Sequence, residues 1–234
     1  MSQPVSLPYG REMDVRKRWM WHTAISGALG LAVGWLAVGF AAGLPRDSVF
    51  LRDRWVNLTY LGIAIVAGFV VGAIVGGAQA RCLSRYLPVA AARRWTAASG
   101  LAGAVSALLA IPWTTFKMPA AAILDKIPFA SYVLAFVVAG AIFGTSQWLV
   151  LRAYLPGAGR WVPACAAGAG AAAMLTVLVL VVTSLPPLSY LVLFTFTCML
   201  GIPFYLLIGA AIFLPPGAIT GATMVKLLKE ANLL

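Results

Sequence analysis

The sequence predicts an all-α integral membrane bundle of six spans, arranged as three two-helix repeats with both termini in the cytoplasm. Three observations predict it: an apolar composition, a passage that recurs, and a lopsided placement of basic residues. Hydrophobic residues make up 62% of the 234 positions and charged residues 10%, and mean hydropathy is +0.94. Soluble domains carry about 25% charged residues, so charges this sparse cannot cover a surface facing water. A chain of this length has room for about six spans of roughly 20 residues. No stretch is polar enough or long enough for a separate soluble domain, and residues 1–234 read as one transmembrane domain.

The recurring passage is GAIVGGAQARCLSRYLP at 72–88, which returns as GAIFGTSQWLVLRAYLP at 140–156 with nine identities and no gap. A shorter copy, GAITGATMVKLLKE, lies at 217–230. Self-similarity at this scale governs the fold of the whole chain. It divides the chain into hairpins at about 15–80, 93–152 and 160–230.

Taken in order, residues 1–18 are polar and end in Arg16-Lys17-Arg18. Apolar runs follow at about 19–44, 57–80, 95–114, 128–151 and 161–184. The first is longer than a signal-peptide core of about 7–15 residues. It also opens like the third and fifth, with Arg18-Trp19, Arg94-Trp95 and Arg160-Trp161, so it reads as a retained span. From 188 to 225 the chain is apolar almost throughout, interrupted by Pro203, Pro215 and Pro216. If Gly217 sits at the depth of Gly72 and Gly140, the sixth span covers about 203–228 and kinks at Pro215-Pro216. Residues 188–202 then form an apolar hairpin or interfacial segment. The competing assignment is a span at 190–213 with 217–230 as a helix on the cytoplasmic surface.

With the N-terminus inside, twelve Lys and Arg fall on the inner side: Arg11, Arg16, Lys17, Arg18, Arg81, Arg85, Arg93, Arg94, Arg152, Arg160, Lys226 and Lys229. Five fall outside: Arg46, Arg52, Arg54, Lys117 and Lys126. Basic residues gather on the cytoplasmic side of membrane proteins. The net charge of +11 is therefore topology, not a nucleic-acid footprint, and no nucleic-acid partner is expected.

Within the copies, fixed residues trace one helix stripe: Gly72, Gly76, Gln79 and Leu83; Gly140, Gly144, Gln147 and Leu151; Gly217, Gly221, Met224 and Leu228. Glycines at this spacing let a second backbone approach closely, the small-xxx-small device of membrane helices. A threefold arrangement would bring the stripes together or set them in three equivalent grooves. Gln79 and Gln147 need polar partners, because lipid offers none. They act either as interhelical glue, at about 0.6–2 kcal/mol per bond, or as the lining of a polar pocket. Met224 in the third copy argues against a strictly threefold polar site.

His22 is the sole histidine. Beside Trp19 and Trp21 it reads as interfacial, with ligation of a pigment or haem as the chemical alternative. No cofactor and no metal is expected. Cys82, Cys165 and Cys198 show no paired spacing and read as small buried thiols. Arg81, Arg85, Arg93, Arg94, Arg152 and Arg160 form an inner basic surface suited to anionic lipid or to an acidic partner subunit. All six acids, Glu12, Asp14, Asp47, Asp53, Asp125 and Glu230, fall outside the apolar runs. Ion-coupled transport usually needs a buried carboxylate, and one histidine with no intramembrane acid leaves no base for a nucleophile. An enzyme is not expected.

Gly140-x-x-x-Gly144-x-x-Gln147-Trp148-x-x-Leu151-Arg152 resembles a motif repeated in uncharacterised multi-pass bacterial membrane proteins, where Gly-x-x-x-Gly-x-x-Gln-Trp-x-x-Leu-Arg precedes an Arg-Trp or Trp-Trp span start. The likeness covers about residues 72–105 and 140–172, and it implies no activity. The first copy departs from it at Ala80 and Ser84. Three two-helix repeats are also a feature of mitochondrial carriers, but the acid each odd span would need is missing.

The expected role is non-catalytic: an accessory or scaffolding subunit of a larger complex in the bacterial inner membrane, packing partner helices, lipid or pigment. The alternative is a substrate-capturing or facilitative transporter with a pocket at Gln79 and Gln147.

Overall fold

A computed structural model describes residues 9–42, 55–115, 128–184 and 201–234. Among them every regular element is a helix. The six α-helices are α1 (Tyr9–Ala42), α2 (Trp55–Leu83), α3 (Val89–Thr115), α4 (Pro128–Leu151), α5 (Trp161–Ser184) and α6 (Gly201–Glu230). A short 3-10 turn, Ala158–Arg160, leads into α5. Most of 188–202 and Cys198 lie outside the described residues, although Gly201 and Ile202 already belong to α6.

Four stretches are long and apolar enough to cross a membrane: Gly62–Leu83, Tyr132–Leu151, Ala158–Val179 and Leu206–Glu230. The last lies within one continuous helix that carries Pro215 and Pro216 in its interior. That fits the 203–228 assignment better than a span ending at 213. A helix-interior proline removes one backbone bond, and such prolines are tolerated where neighbouring helices cover the gap. Here Pro216 lies against Gly168 of α5, whose missing side chain leaves room for it.

The helices form a closed ring in chain order, with α6 returning to α1. The closest pairs are α2–α3, α4–α5 and α1–α6. These are not the two helices of an expected hairpin. They are the second helix of one hairpin and the first helix of the next, and the glycine stripes explain why. Along α2, Gly68, Gly72 and Gly76 face Gly103, Ser99 and Thr96 of α3 in antiparallel order. Along α4, Gly140 and Gly144 face Ala166 and Val162 of α5. Along α6, Gly217 and Gly221 face Met20 and Arg16 of α1. A Cβ on Gly140 would stand 2.6 Å from the Cys165 carbonyl oxygen, and one on Gly217 would stand 2.9 Å from that of Met20. Both are impossible without a shift of the neighbouring backbone.

Tyr-Leu-Pro ends both α2 and α4 in the same way. The carbonyl of Leu83 accepts from the amides of Tyr86 and Leu87, at 2.9 and 2.8 Å. The carbonyl of Leu151 accepts from Tyr154 and Leu155, each at 2.8 Å. Orphan carbonyls of the last turn are thereby satisfied, and the proline that follows cannot extend the helix. After Pro156 the chain turns at Gly157, with φ of 69°, in the left-handed region that glycine enters freely. α6 ends differently: the Leu233 amide reaches the Leu228 carbonyl at 2.9 Å, with Asn232 at φ 55°, a Schellman-type cap.

The core sits at one end of the ring, where α1, α3 and α5 carry their Arg-Trp pairs. Trp19, Trp95, Trp161, Leu83, Leu87, Leu151, Leu155, Met224, Leu227 and Leu228 form one buried cluster there. Away from it the helices expose large apolar side chains outward, including Ile25, Phe69, Leu101, Leu134, Met174 and Leu207. An outward apolar belt of this kind has no place in water and marks a membrane or partner surface.

Candidate functional site

Trp19, Trp95 and Trp161 are fully buried and meet edge to face, with ring centroids 5.5 to 6.2 Å apart. Offset and T-shaped contacts at this distance suit the ring quadrupole. An indole N–H only donates, so each buried tryptophan needs an oxygen. The Trp161 Nε1 donates to Gln147 Oε1 at 2.9 Å. The Trp95 Nε1 donates to Gln79 Oε1 at 3.3 Å. The Trp19 Nε1 donates to Thr220 Oγ1 at 3.1 Å. Because an indole cannot accept, the amide atom facing each ring must be oxygen. That fixes the orientation of both glutamines.

Their amide nitrogens then point to the neighbouring pair. Gln147 Nε2 donates to Ser99 Oγ at 2.8 Å and to Gln79 Oε1 at 3.3 Å. Gln79 Nε2 donates to Thr23 Oγ1 at 3.3 Å. Thr23 and Ser99 each stand four residues after the tryptophan of their helix, and Cys165 holds that place on α5. The Ser99 hydroxyl passes its own proton to the Trp95 carbonyl at 2.9 Å. The Thr220 hydroxyl likewise donates to the Pro216 carbonyl at 2.7 Å. The Ser99 and Thr220 hydroxyls thus donate within their own helices and accept from another.

The two glutamines, expected as glue or as a pocket, are brought together. They are only 5% and 3% exposed, and their hydrogen-bonding atoms face protein. The third place differs in chemistry. Met224 is fully buried and its thioether is a poor partner for an indole, so Trp19 turns to Thr220, one helical turn earlier. Val75 and Phe143 hold the Thr220 position in the other two copies. Among the described residues, Ser106 Oγ is the one buried side-chain polar atom without a partner.

Sequence reasoning treated the tryptophans as span openers at the membrane surface and missed their burial. The available signal was the hydroxyl or thiol recurring four residues after each one. Thr220 carried no such signal, because it lies off the repeat register.

The expected helix-packing glycines Gly72, Gly76, Gly140, Gly144, Gly217 and Gly221 all lie on the three close seams. The six arginines of the expected basic surface are all exposed. Arg152 lies over the half-buried ring of Trp148 at 5.3 Å, a cation–π contact. Arg160 pairs with Glu230 at 2.6 Å, and Lys229 pairs with Glu12 at 2.6 Å. His22 is half-buried, and its carbonyl accepts from Ser26 Oγ at 2.5 Å. Among the described residues no three His, Cys, Asp or Glu side chains gather as a metal site would require. Cys82 and Cys165 are free thiols. A groove of about 270 Å³ opens between α3 and α4, and neither glutamine lines it.

Comparison with family models, with curated proteins and with solved structures finds no match.

Proposed function

We propose that this chain is a non-catalytic, six-span protein of the bacterial inner membrane, built from three sequence-related units with both termini cytoplasmic. Its role is that of an accessory or scaffolding subunit, presenting its outer face to partner helices, lipid or pigment. The observation that carries this reading is the closed tryptophan–amide network. Gln79, Gln147, Thr23, Ser99, Thr220 and the three indoles find their partners inside the ring, on one another or on the Trp95 and Pro216 carbonyls. That leaves the interior with packing as its task and the apolar exterior as the surface on which other molecules act. Exposed Ile25 and Leu29 on α1, and Leu101, Val105 and Leu108 on α3, support counting these two helices as spans alongside the four more apolar stretches. Arg81, Arg85, Arg93, Arg94, Arg152 and Arg160 then face anionic headgroups or an acidic partner, each at about 1 kcal/mol near the surface.

The deciding experiment is extraction from the native membrane in a mild detergent, followed by mass spectrometry of everything retained. A second subunit, lipid or pigment in fixed ratio is the expected result. Recovery of this chain alone would overturn the scaffold reading. Reporter fusions at residues 1 and 234 that fall on opposite sides of the membrane would overturn the topology. The transport alternative draws no support from the geometry, since a solute near Gln79 and Gln147 would have to displace the indole and hydroxyl bonds they already make.

A further inference from the structure

Three arginines precede the three core tryptophans, and their charges are met unequally. Arg18 pairs with Asp14 of its own helix at 2.8 Å. Arg160 pairs with Glu230 across to α6 at 2.6 Å. Arg94 has no ion pair among the described residues, and the place one helical turn before it holds Ala90. It is also the one of the three that lines the groove between α3 and α4.

The shape of that groove follows from the packing. α3 turns its glycine face to α2, and α4 turns its own to α5. The α3–α4 side lacks a glycine seam, and it is the least closely packed junction of the ring. The Gln147–Ser99 bond sets the register there. Arg94 therefore lies at the Tyr154 end, and Leu101 lies at the Ser146 end, seven residues and roughly 10 Å deeper at 1.5 Å per residue. Ala98 and Leu149 line the groove between them. One end is cationic at headgroup level, beside Tyr154, and the rest is a mainly apolar slot about two turns long, with Ser146 at its far end donating its hydroxyl to the Phe143 carbonyl.

We propose that this groove is a binding site for one anionic phospholipid, with its phosphate on Arg94 and an acyl chain along Ala98, Leu101 and Leu149. Guanidinium offers phosphate two parallel N–H donors, and the lipid supplies the anion that Asp14 and Glu230 supply to the other two arginines. The site rests on the six-span reading, because α3 must lie in the bilayer. It does not require a partner subunit.

The test is native mass spectrometry of the purified full chain in mild detergent, supplied with phosphatidylglycerol or phosphatidylcholine of matched chains. Wild type should retain one phosphatidylglycerol, preferred by about fivefold, the contribution of one basic residue near a charged headgroup. Arg94→Gln should abolish the preference, while Arg93→Gln, the same charge change beside the groove, should keep it. Ala98→Trp should fill the slot and lose the lipid with Arg94 intact. Melting in lipid-free detergent should leave Arg94→Gln within a few degrees of wild type, since Arg94 is exposed.

Equal losses in Arg93→Gln and Arg94→Gln would reduce the effect to diffuse charge and overturn the site. Retention by Ala98→Trp would remove the groove from it. Displacement of the lipid by millimolar glycerol phosphate would make the site one for free phosphate instead. Cysteine-accessibility labelling separates this failure from failure of the topology, because it reports whether α3 crosses the bilayer independently of any bound lipid.

Discussion

The α4–α5 pair and the α6–α1 pair have the same job and do it with different atoms. In the first, Gln147 gives its oxygen to Trp161 and its nitrogen to Ser99, at 2.9 and 2.8 Å. In the second, Met224 fills the same place with an apolar thioether, and Trp19 finds its oxygen on Thr220 at 3.1 Å. The α2–α3 pair uses the amide again, but with bonds of 3.3 Å to Trp95 and Thr23. What must be kept, then, is an oxygen for each indole. The residue that carries it is free to change, provided the space left behind is filled.

The strongest way to break this comparison is Gln147→Leu. It removes the acceptor of Trp161 and the donor to Ser99 together, at about 0.6–2 kcal/mol per bond, so a loss of about 1–4 kcal/mol is expected. Met224→Leu, a swap that nearly conserves volume, should cost less than about 1.5 kcal/mol. Denaturant titration in mixed micelles measures both, and equal losses would refute the contrast. Gln79→Leu should fall between them, because its bonds are longer. If Gln79→Leu with Gln147→Leu lowered stability and also abolished binding of some solute, the pocket reading would return.

Next comes the seam that all three pairs share. Gly140→Ala forces a methyl against the α5 backbone and should cost about 1–3 kcal/mol. Gly217→Ala meets the α1 backbone with slightly more room and should cost less. Gly77→Ala provides the control: the nearest atom to its Cβ is the Thr96 methyl at 3.8 Å, and alanine should gain about 0.5–1 kcal/mol in a helix. Thermal melts that failed to separate Gly76→Ala from Gly77→Ala would mean that the seam is not as close as described.

A finer test sharpens the third place. Thr220→Val leaves the Trp19 N–H buried without a partner, a loss of about 1–2 kcal/mol by the usual cost of an unmet donor. Adding Met224→Gln should restore part of that loss, because an amide there occupies the position from which Gln79 and Gln147 reach their indoles. A double-mutant cycle should therefore show coupling of about 1 kcal/mol, and strict additivity would refute it. The smallest effect belongs to Arg160→Gln. Its partner Glu230 is solvent-accessible, and exposed pairs contribute about 0–1 kcal/mol, less still at high salt.

The composition and the recurring passage were enough to read helices near 19–44, 57–80, 95–114, 128–151 and 161–184, and the glycine stripe with its glutamine. Each of these is a local property of one helix. Which helix the stripe faces was not legible. Hydropathy gives the same signal whether α2 packs on α1 or on α3, and the choice depends on Ser99 and Gly103 offering a flatter partner than α1 does. The burial of Trp19, Trp95 and Trp161 was hidden for a related reason. An Arg-Trp pair at the start of an apolar run has the composition of an interfacial anchor, and only three of them converging turns them into a core. Thr220 could be found only from the Trp19 side, since its own copy gives no reason to look one turn off register.

The bond from Trp19 to Thr220 joins residues 201 positions apart, and this separation has a consequence for biogenesis. At about 5–20 residues per second of synthesis, roughly 10–40 seconds pass between the arrival of Trp19 and that of its acceptor. Trp95 follows Gln79 by 16 positions and Trp161 follows Gln147 by 14, so those pairs can zip almost as they emerge. The first helix must wait, its indole unmet, until the last described one arrives. A ribosome that stalled short of Thr220 would release a chain whose earlier pairs had formed but whose first helix was held by α2 alone, through the Gln79–Thr23 bond, with the Trp19 indole still unmet.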